Sequence, residues 1–449
     1  MIGRKQFARG GRRLLSCLLV LLLVAGLCAV PVLAIGQNQD EDDGDQRSVD
    51  GGDTQQSNPD EDGERTPWDI GNNPANPLAG SDENVMDFAA HPVLLYYASL
   101  DLQGKIGVNF YLLVPEDVEL SICVNGMEMT SEEAELDDRD MVMILGQGYD
   151  FRCYTCWVKP SQLDEKLCIT ALNAENHSYP IKKYDGADWV DVPSTGFEYS
   201  ALDYLAGRIK NTTDEKMRTL AKRLWDYGYY AAVYLDYLRG EPDQYVAVST
   251  PWEPYLSDRS MKSLAEDWTE THPLSEISCY RLSMWPGVYS GSTAILESDI
   301  QMRYYFWVPA AYCNGNLTCR IYGLTENADM QVPVYLVPSS PGSTSVTVAN
   351  VGGTLYYPCC VQISRITAQE LDNSYEMVLY YQGNPVMMTQ HASTLNALFG
   401  DLDAQAEALL KMDEESAEYD EALDKYYVTE CLFNAMVLYC AAANDYFGD

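Results

Sequence analysis

Two ten-residue stretches, one in each half of the chain, indicate the fold. Ile106–Pro115 reads IGVNFYLLVP and Ile300–Pro309 reads IQMRYYFWVP. Both carry apolar or aromatic side chains at most positions and end in proline, which is typical of a buried β-strand that stops where the backbone loses an N–H donor. Because the two strands replace one apolar residue by another at matching positions, we expect the chain to contain two diverged copies of one module.

The helical ends of the two halves match as well. Apolar residues recur there at helical spacing, and one of the six compared pairs, Ala232 with Asn444, does not match. The other five are Leu220 with Leu432, Leu224 with Met436, Tyr227 with Tyr439, Ala231 with Ala443 and Tyr234 with Tyr446. A shared strand followed by shared helices predicts an α+β fold. In it, two tandem modules each consist of an antiparallel β-sheet or sandwich followed by an αα-hairpin.

The composition along the chain predicts five segments. We expect an export signal or N-terminal membrane anchor over 1–34, an acidic disordered spacer over 35–87, a first module over 88–238, a connector over 239–278 and a second module over 279–449. Segments of this size can bury a core, because about 70% of the unfolded surface is removed from water in a domain of about 150 residues.

Periodicity locates the elements within the modules. In the first module, strands are expected within 94–115 and over 118–124, 141–145, 151–159 and 167–172, and helices over 201–210 and 214–238 with an N-cap near Thr213 and Asp214. The connector is expected to hold a short helix over 261–267. In the second module, strands are expected over 300–308, 317–322, 332–337, 346–348, 359–366 and 375–381, with helical structure from Ser393 onward.

The N-terminus has the pattern of an export signal. Residues 1–13 hold five basic residues and no acidic one, and residues 14–34 are almost wholly apolar. Pro31 breaks the helix shortly before Ala34, which predicts cleavage after Ala34. The alternative is an uncleaved anchor, because 21 apolar residues are long enough to span a bilayer. Either interpretation places the rest of the chain outside the cytoplasm.

The charge argues against nucleic acid as a partner. The net charge is −38, of which residues 35–90 carry −13 and residues 91–449 carry −30, so the acidity extends into the predicted modules. Such a field repels phosphate backbones and anionic lipid. We therefore expect no nucleic-acid binding, and membrane contact only through an uncleaved N-terminal anchor.

Cysteine placement predicts one disulfide. Outside the cell, bonded cysteines are the default, and Cys313 and Cys319 face each other across a short loop. Cys431 and Cys440 are about 13 Å apart on one predicted helix, too far to bond. Cys153 and Cys156 lie in a strand pattern, where residues three apart point to opposite faces, so a redox or zinc role is disfavoured.

No residue pattern indicates catalysis, a cofactor or a metal. The four histidines are isolated, and carboxylates are too numerous for an acid–base pair to be chosen from spacing. The chain has 33 Tyr and 9 Phe, which suits half-buried sheet surfaces and, alternatively, an aromatic ligand groove. A carbohydrate-binding module would use exposed aromatic rings, and the candidates are Trp252, Trp285 and Trp307. An extracellular hydrolase of unrecognised type is a further alternative.

Three strings carry a resemblance to known proteins: IGVNFYLLVP, ALDYLAG from Ala201, and WDYGYYAAVYL from Trp225. They resemble modules that recur in large exported surface proteins of clostridial gut bacteria. Tyr227-Gly228-Tyr229-Tyr230-Ala231 fits the pattern of that family, whereas the second copy has Tyr439-Cys440-Ala441-Ala442-Ala443 and lacks the glycine. The resemblance implies a location at the cell surface and supplies no catalytic residue.

The combined pattern favours an exported cell-surface or secreted protein that acts by interaction or adhesion. Its expected partner is an extracellular protein or a glycan.

Overall fold

A computed structural model describes residues 33–34, 91–102, 104–133, 148–184, 189–239, 258–296, 299–323, 330–340 and 345–448. The described chain forms two compact units, one over 91–232 and one over 233–239 and 258–447 that also includes β1 (Leu33–Ala34). Both units combine mostly antiparallel sheets with helices. The α+β class expected from the sequence is therefore confirmed.

The first unit contains two sheets followed by helices. Its strands are β2 (Val93–Asp101), β3 (Ile106–Pro115), β4 (Leu120–Val124), β5 (Met127–Glu128), β6 (Glu132–Glu133), β7 (Tyr149–Val158), β8 (Leu167–Asn173), β9 (Ser178–Tyr179), β10 (Ile181–Tyr184), β11 (Trp189–Asp191) and β12 (Phe197–Tyr199). One sheet has the order β11, β10, β2, β3, β7, β6, and the other has the order β12, β8, β4, β5, with β9 paired to β8. The helices are α1 (Ala201–Asn211) and α2 (Glu215–Arg239), and the residues of α2 from 233 onward belong to the second unit.

The second unit also contains two sheets, with helices before and after them. Its elements are α3 (Asp258–Thr271), β13 (Ser278–Arg281), β14 (Val288–Ile295), β15 (Gln301–Pro309), β16 (Leu317–Tyr322), β17 (Met330–Val332), β18 (Val334–Leu336), β19 (Ala349–Val351), β20 (Thr354–Ile363), β21 (Glu376–Tyr381), β22 (Asn384–Gln390), α4 (Thr394–Leu409) and α5 (Ala417–Phe447). One sheet runs β1, β18, β20, β15, β14, with β19 also on β20, and the other runs β13, β22, β21, β16, β17.

The core of each unit receives one face of its long central strand. Val108, Phe110 and Leu112 of β3 are completely buried, and Phe110 packs 6.1 Å from the ring of Tyr199 in the other sheet. In the second unit the Tyr304 hydroxyl of β15 donates a 2.8 Å hydrogen bond to the Tyr375 hydroxyl, which lies just before β21. Burial of each such side chain stabilises the fold by about 1.5–3 kcal/mol.

Side-chain caps define where the helices of the first unit begin. Ser200 accepts a hydrogen bond from the backbone N–H of Asp203, and the Asp203 carboxylate accepts one from the N–H of Ser200, which is a capping box. At α2, Asp214 Oδ1 accepts hydrogen bonds from the N–H groups of Lys216 and Met217. The N-cap expected near Asp214 is thus confirmed.

Several sequence predictions need correction. The strand expected over 346–348 lies three residues later, as β19, and the strand expected over 359–366 is β20, which ends at Ile363 because Arg365 has a φ of 60°. Strands β5, β6, β9 to β14 and β22 were not predicted. The strand expected over 141–145 and the spacer over 35–87 lie outside the described residues, as does the N-terminal segment apart from β1.

The helix expected over 261–267 is present and longer, as α3. Lys262 on α3 forms a 2.7 Å ion pair with Glu430 on α5. The C-terminal end of the predicted connector therefore packs within the second unit. Among the described residues, no helix combines the length and the apolar character needed to cross a bilayer.

The first prediction concerns Gly228 on α2. A Cβ there would collide with the Leu163 side chain and lie 3.0 Å from the carbonyl oxygen of Pro160. We expect Gly228→Ala to lower the free energy of unfolding by about 1–3 kcal/mol, although alanine is the better helix former. The matched control is Gly400→Ala on α4, where nothing lies within 4 Å, and it should add about 0.5–1 kcal/mol. Urea unfolding followed by circular dichroism tests this, and a stabilised Gly228→Ala would contradict the packing.

The second prediction concerns Asp226, also on α2. Its side chain is 18% exposed and lies 3.1 Å from Arg223. Desolvation outweighs the attraction of Arg223 and raises the pKa of Asp226 to about 6. The folded state thus binds this proton more tightly than the unfolded chain, so its contribution to stability is complete below pH 4 and is lost as pH rises to about 6.

We expect this loss to be on the order of 1–3 kcal/mol. Asp226→Asn should reduce the slope of that part of the pH profile, in which Asp401 also titrates, whereas the control Asp164→Asn, on an exposed turn, should leave the slope unchanged. Chemical unfolding at pH 4, 5, 6 and 7 measures the difference. An Asp226→Asn profile identical to that of the parent would contradict the assignment.

Candidate functional site

The sheet surface of the first unit that faces away from Val108, Phe110 and Leu112 carries a mixed aromatic and polar set of side chains. The strand register places them in three cross-strand rows: Tyr97, Tyr111 and Cys153; Ser99, Asn109 and Thr155; and Asp101, Gly107 and Trp157. These nine residues are called the outer face below. Glu132 of β6 pairs with Cys153 and extends the first row at the sheet edge.

The first row is built on two stacked tyrosines. The rings of Tyr97 and Tyr111 lie 4.1 Å apart at 15°, and Phe151 packs beside Tyr111 at 5.8 Å. Stacked aromatic pairs contribute about 0.5–1.5 kcal/mol beyond area burial. Burial, more than the nearby Cys153, raises the pKa of Tyr111, so its hydroxyl stays protonated and can both donate and accept hydrogen bonds.

The second row is a chain of hydrogen bonds across three strands. Asn109 donates from Nδ2 to Ser99 Oγ at 3.3 Å, and Thr155 Oγ1 donates to Asn109 Oδ1 at 2.8 Å. These bonds fix the orientation of the Asn109 amide, which is almost completely buried. Ser99 and Thr155 are half-buried, and their bonds to Asn109 hold both hydroxyls in fixed positions.

The third row presents an exposed indole. The Trp157 side chain is 53% exposed and lies against Gly107, where a Cβ would come 3.0 Å from the ring. The absence of a side chain at residue 107 therefore lets the indole approach the backbone of β3. Lys105 Nζ lies 5.6 Å from the centroid of the same ring.

The corresponding surface of the second unit has a related arrangement. Thr293, Arg303 and Gln362 form a cross-strand row, in which Arg303 Nε donates to Gln362 Oε1 at 2.9 Å. Tyr305 pairs with Cys360 in the next row, as Tyr111 pairs with Cys153 in the first unit. Trp307 lies one row further on and is half-buried.

The other tryptophans expected to contact a ligand are placed differently. Trp285 is only 4% exposed, and its ring packs 4.8 Å from Tyr312 and 5.7 Å from Tyr381. It therefore belongs to an interior aromatic cluster and does not offer a surface ring. Trp252 lies outside the described residues.

The cysteines differ from the predicted pairing. Every cysteine from Cys123 onward is a free thiol in the described structure, and Cys313 and Cys319 are not bonded to each other. Cys319 is completely buried, whereas Cys313 Sγ lies 3.8 Å from Cys359 Sγ. The sulfur beside Cys313 therefore belongs to Cys359, which is distant in sequence and could not be identified from the length of a loop.

The other cysteine expectations agree with the structure. Cys431 and Cys440 lie on the single helix α5, and Cys153 and Cys156 lie on opposite faces of β7. Burial raises the pKa of Cys156 to about 12, so its thiol stays protonated.

Other parts of the described structure offer weaker candidates for a binding site. No group of three or more His, Cys, Asp or Glu side chains there is arranged to hold a metal ion. A cleft of about 320 Å³ lies beside β8 and β9. The carboxylate in its lining, Asp191, forms a 2.7 Å ion pair with Lys182. The outer face therefore has the more specific combination of exposed ring and oriented polar groups.

Comparison with known proteins gives no assignment. No protein-family model matches the chain, and no curated protein is significantly similar to it.

Proposed function

We propose that the chain is an exported cell-surface or secreted protein that acts by interaction or adhesion and has no catalytic activity. The observation that carries this proposal is the outer face, where Trp157 is exposed beside a fixed row of polar side chains. An exposed ring next to oriented hydroxyl and amide groups suits binding, since the ring supplies contact area and the polar groups supply specificity.

Export is supported by the N-terminus. The basic residues of 1–13, the apolar run over 14–34 and the acidic, apolar-poor stretch over 35–87 together suit a signal or anchor followed by a spacer. Cleavage after Ala34 would remove β1 and leave β18 at the edge of its sheet. The resemblance to clostridial surface proteins agrees with this location.

We further propose that the two units are diverged copies of one module, a sandwich of two sheets followed by a helical pair. The strand orders support it: β2, β3, β7 and β6 are neighbours in one unit as β14, β15, β20 and β18 are in the other. The second sheet of each unit repeats one order of paired strands. This order is β5, β4, β8, β9 in the first unit and β17, β16, β21, β22 in the second.

A bulge at matching positions is the sharpest support for duplication. The register of β2 with β3 shifts between Leu95 and Tyr97, and the register of β14 with β15 shifts between Tyr289 and Gly291. These positions are separated by the same interval as Ile106 and Ile300. A one-residue bulge is a specific local feature that related domains retain, so its coincidence favours common origin.

A glycan is the second candidate ligand. The C–H face of a sugar ring packs on an indole, and its hydroxyl groups require donors and acceptors such as those of Ser99 and Thr155. The net charge of −38 favours instead a protein partner with a basic surface. The two ligand classes differ in the salt dependence of binding. Binding of a basic protein weakens at high ionic strength, because salt screens the attraction between opposite charges.

The third prediction tests export. The full chain, expressed from Met1 in a bacterial host, should be recovered outside the cytoplasm with Ile35 as its first residue. Replacing Leu22 and Val24 by Arg interrupts the apolar run and should retain the chain inside, whereas replacing them by Ile should not. N-terminal sequencing of fractionated cells gives the result. A parent chain found in the cytoplasm would contradict the proposal, and an exported, membrane-bound chain that starts at Met1 would identify an anchor.

The fourth prediction tests ligand binding by the full chain on an array of glycans, mucins and matrix proteins. We expect saturable binding that Trp157→Ala weakens at least about 10-fold, since the exposed ring supplies the contact area. Met127→Ala, on another sheet of the same unit and 70% exposed, is the matched control and should bind as the parent does.

Trp307→Ala tests whether the second unit contributes. Binding that Trp157→Ala leaves unchanged would remove the outer face as the site, and a blank array in both low and high salt would contradict the glycan proposal. Binding to matrix proteins alone, lost at high salt, would favour the charged protein partner.

A further inference from the structure

We propose that Cys313 is a site of thiol–disulfide exchange and that it forms a reversible disulfide with Cys359 inside the second unit. The step requires a low-molecular-weight disulfide, RSSR, as the oxidant.

The two sulfur atoms are already neighbours. Cys313 follows the 3-10 turn at Ala310–Tyr312, and Cys359 lies on β20, opposite Phe306 of β15. Their Sγ atoms are 3.8 Å apart, so a bond of about 2.05 Å requires an approach of less than about 2 Å. Cys313 lies outside regular strand structure, so it can supply this movement.

The environment selects which thiol reacts first. Cys313 is half-buried, whereas Cys359 is completely buried and can be reached only by a neighbouring sulfur. The contact between the two sulfur atoms lowers the pKa of Cys313, and the same contact together with burial raises the pKa of Cys359. A more populated thiolate makes Cys313 the attacking group.

The exchange balances in two steps. The Cys313 thiolate attacks one sulfur of RSSR, the S–S bond breaks, and RS⁻ leaves and takes a proton as RSH. The Cys359 sulfur then attacks Cys313 Sγ and displaces the second RS⁻, which takes the Cys359 proton and leaves as RSH. Two protein thiols are oxidised to one disulfide, and one RSSR is reduced to two RSH.

Other cysteines near this pair are not placed to compete. Cys360 follows Cys359 directly, but it faces the opposite side of β20, beside Tyr305 and Tyr335. Cys319 is completely buried, and its Sγ contacts the backbone carbonyl of Arg320. The geometry therefore predicts a single product.

The cross-link would fix the turn that carries Tyr312. The Tyr312 ring packs against Trp285 at 4.8 Å and against Tyr381 at 5.0 Å, so an immobilised turn would also hold this aromatic cluster. A disulfide that closes the loop from 313 to 359 restricts the unfolded chain. We expect the oxidised protein to unfold at a higher denaturant concentration than the reduced protein.

The fifth prediction tests the cross-link by peptide mapping of the full chain. The reduced protein is incubated with glutathione disulfide, the remaining thiols are alkylated, and the digest is analysed by mass spectrometry. We expect a peptide that joins Cys313 to Cys359, a loss of about 2 Da relative to the reduced form, and reversal by dithiothreitol.

Variants distinguish the steps. Cys359→Ser should stop at the first step and accumulate a mixed disulfide with glutathione on Cys313, whereas Cys313→Ser should leave Cys359 unmodified. The controls Cys319→Ser and Cys360→Ser should form the cross-link as the parent does. Parent protein that keeps both thiols after incubation, or a peptide that joins Cys313 to Cys319, would overturn the proposal. Peptide mapping of the parent protein tests the cross-link without any substitution, so a variant that misfolds cannot obscure the outcome.

Discussion

The rest of each unit depends on the pairing of one long strand on both sides. β3 forms antiparallel ladders with β2 and β7 over nearly its whole length, and β15 does the same with β14 and β20. A strand in this position satisfies its backbone groups within the sheet and can bury both faces, which explains the nearly continuous apolar character of IGVNFYLLVP. One face of β3 supplies the core around Phe110. The other face carries a smaller buried cluster that includes Leu113 and Phe151, and beside it the residues of the outer face.

The outer face also depends on the bulge in β2. Side chains alternate between the two faces of a strand, so one additional residue moves every later side chain to the opposite face. Beyond the shift at Leu95 and Tyr97, the register places Tyr97 across from Tyr111 and Ser99 across from Asn109. Without the extra residue, the tyrosine stack and the polar row would not form on one face. The same device in β14 places Gly291 across from Tyr305, so the second unit has no matching ring there.

Local patterns in the sequence predicted those helices and strands whose structure depends mainly on nearby residues. The strand β3 was predicted from the apolar run Ile106–Pro115. The start of α2 was predicted from the N-cap pattern at Asp214. β14 was missed because VYSGSTAI is rich in small polar residues, and its strand conformation depends on the ladder with β15. Tertiary pairing overrides weak propensity in such segments.

The candidate site was harder to predict, because it is assembled from separate strands. Trp157 lay within a predicted strand, and its alternation with the core residues Cys156 and Val158 could have indicated that it points outward. The burial of Trp285 could not be found in this way, because it depends on contacts with Tyr312 and Tyr381 from other elements. The partner of Cys313 was hidden for the same reason, since Cys359 is distant in sequence.

The chemistry of the cysteines reconciles a chain rich in free thiols with the proposed location outside the cell. Burial is the largest cause of a raised pKa at most of the shifted cysteines, among them Cys156, Cys279 and Cys360, and it keeps these thiols protonated. A protonated buried thiol exchanges slowly and behaves as a small apolar side chain. The pKa of Cys313 is lowered instead, by its contact with Cys359. The proposed exchange would therefore begin at Cys313 and include Cys359, while the protonated thiols of Cys156, Cys279 and Cys360 remain part of the packing.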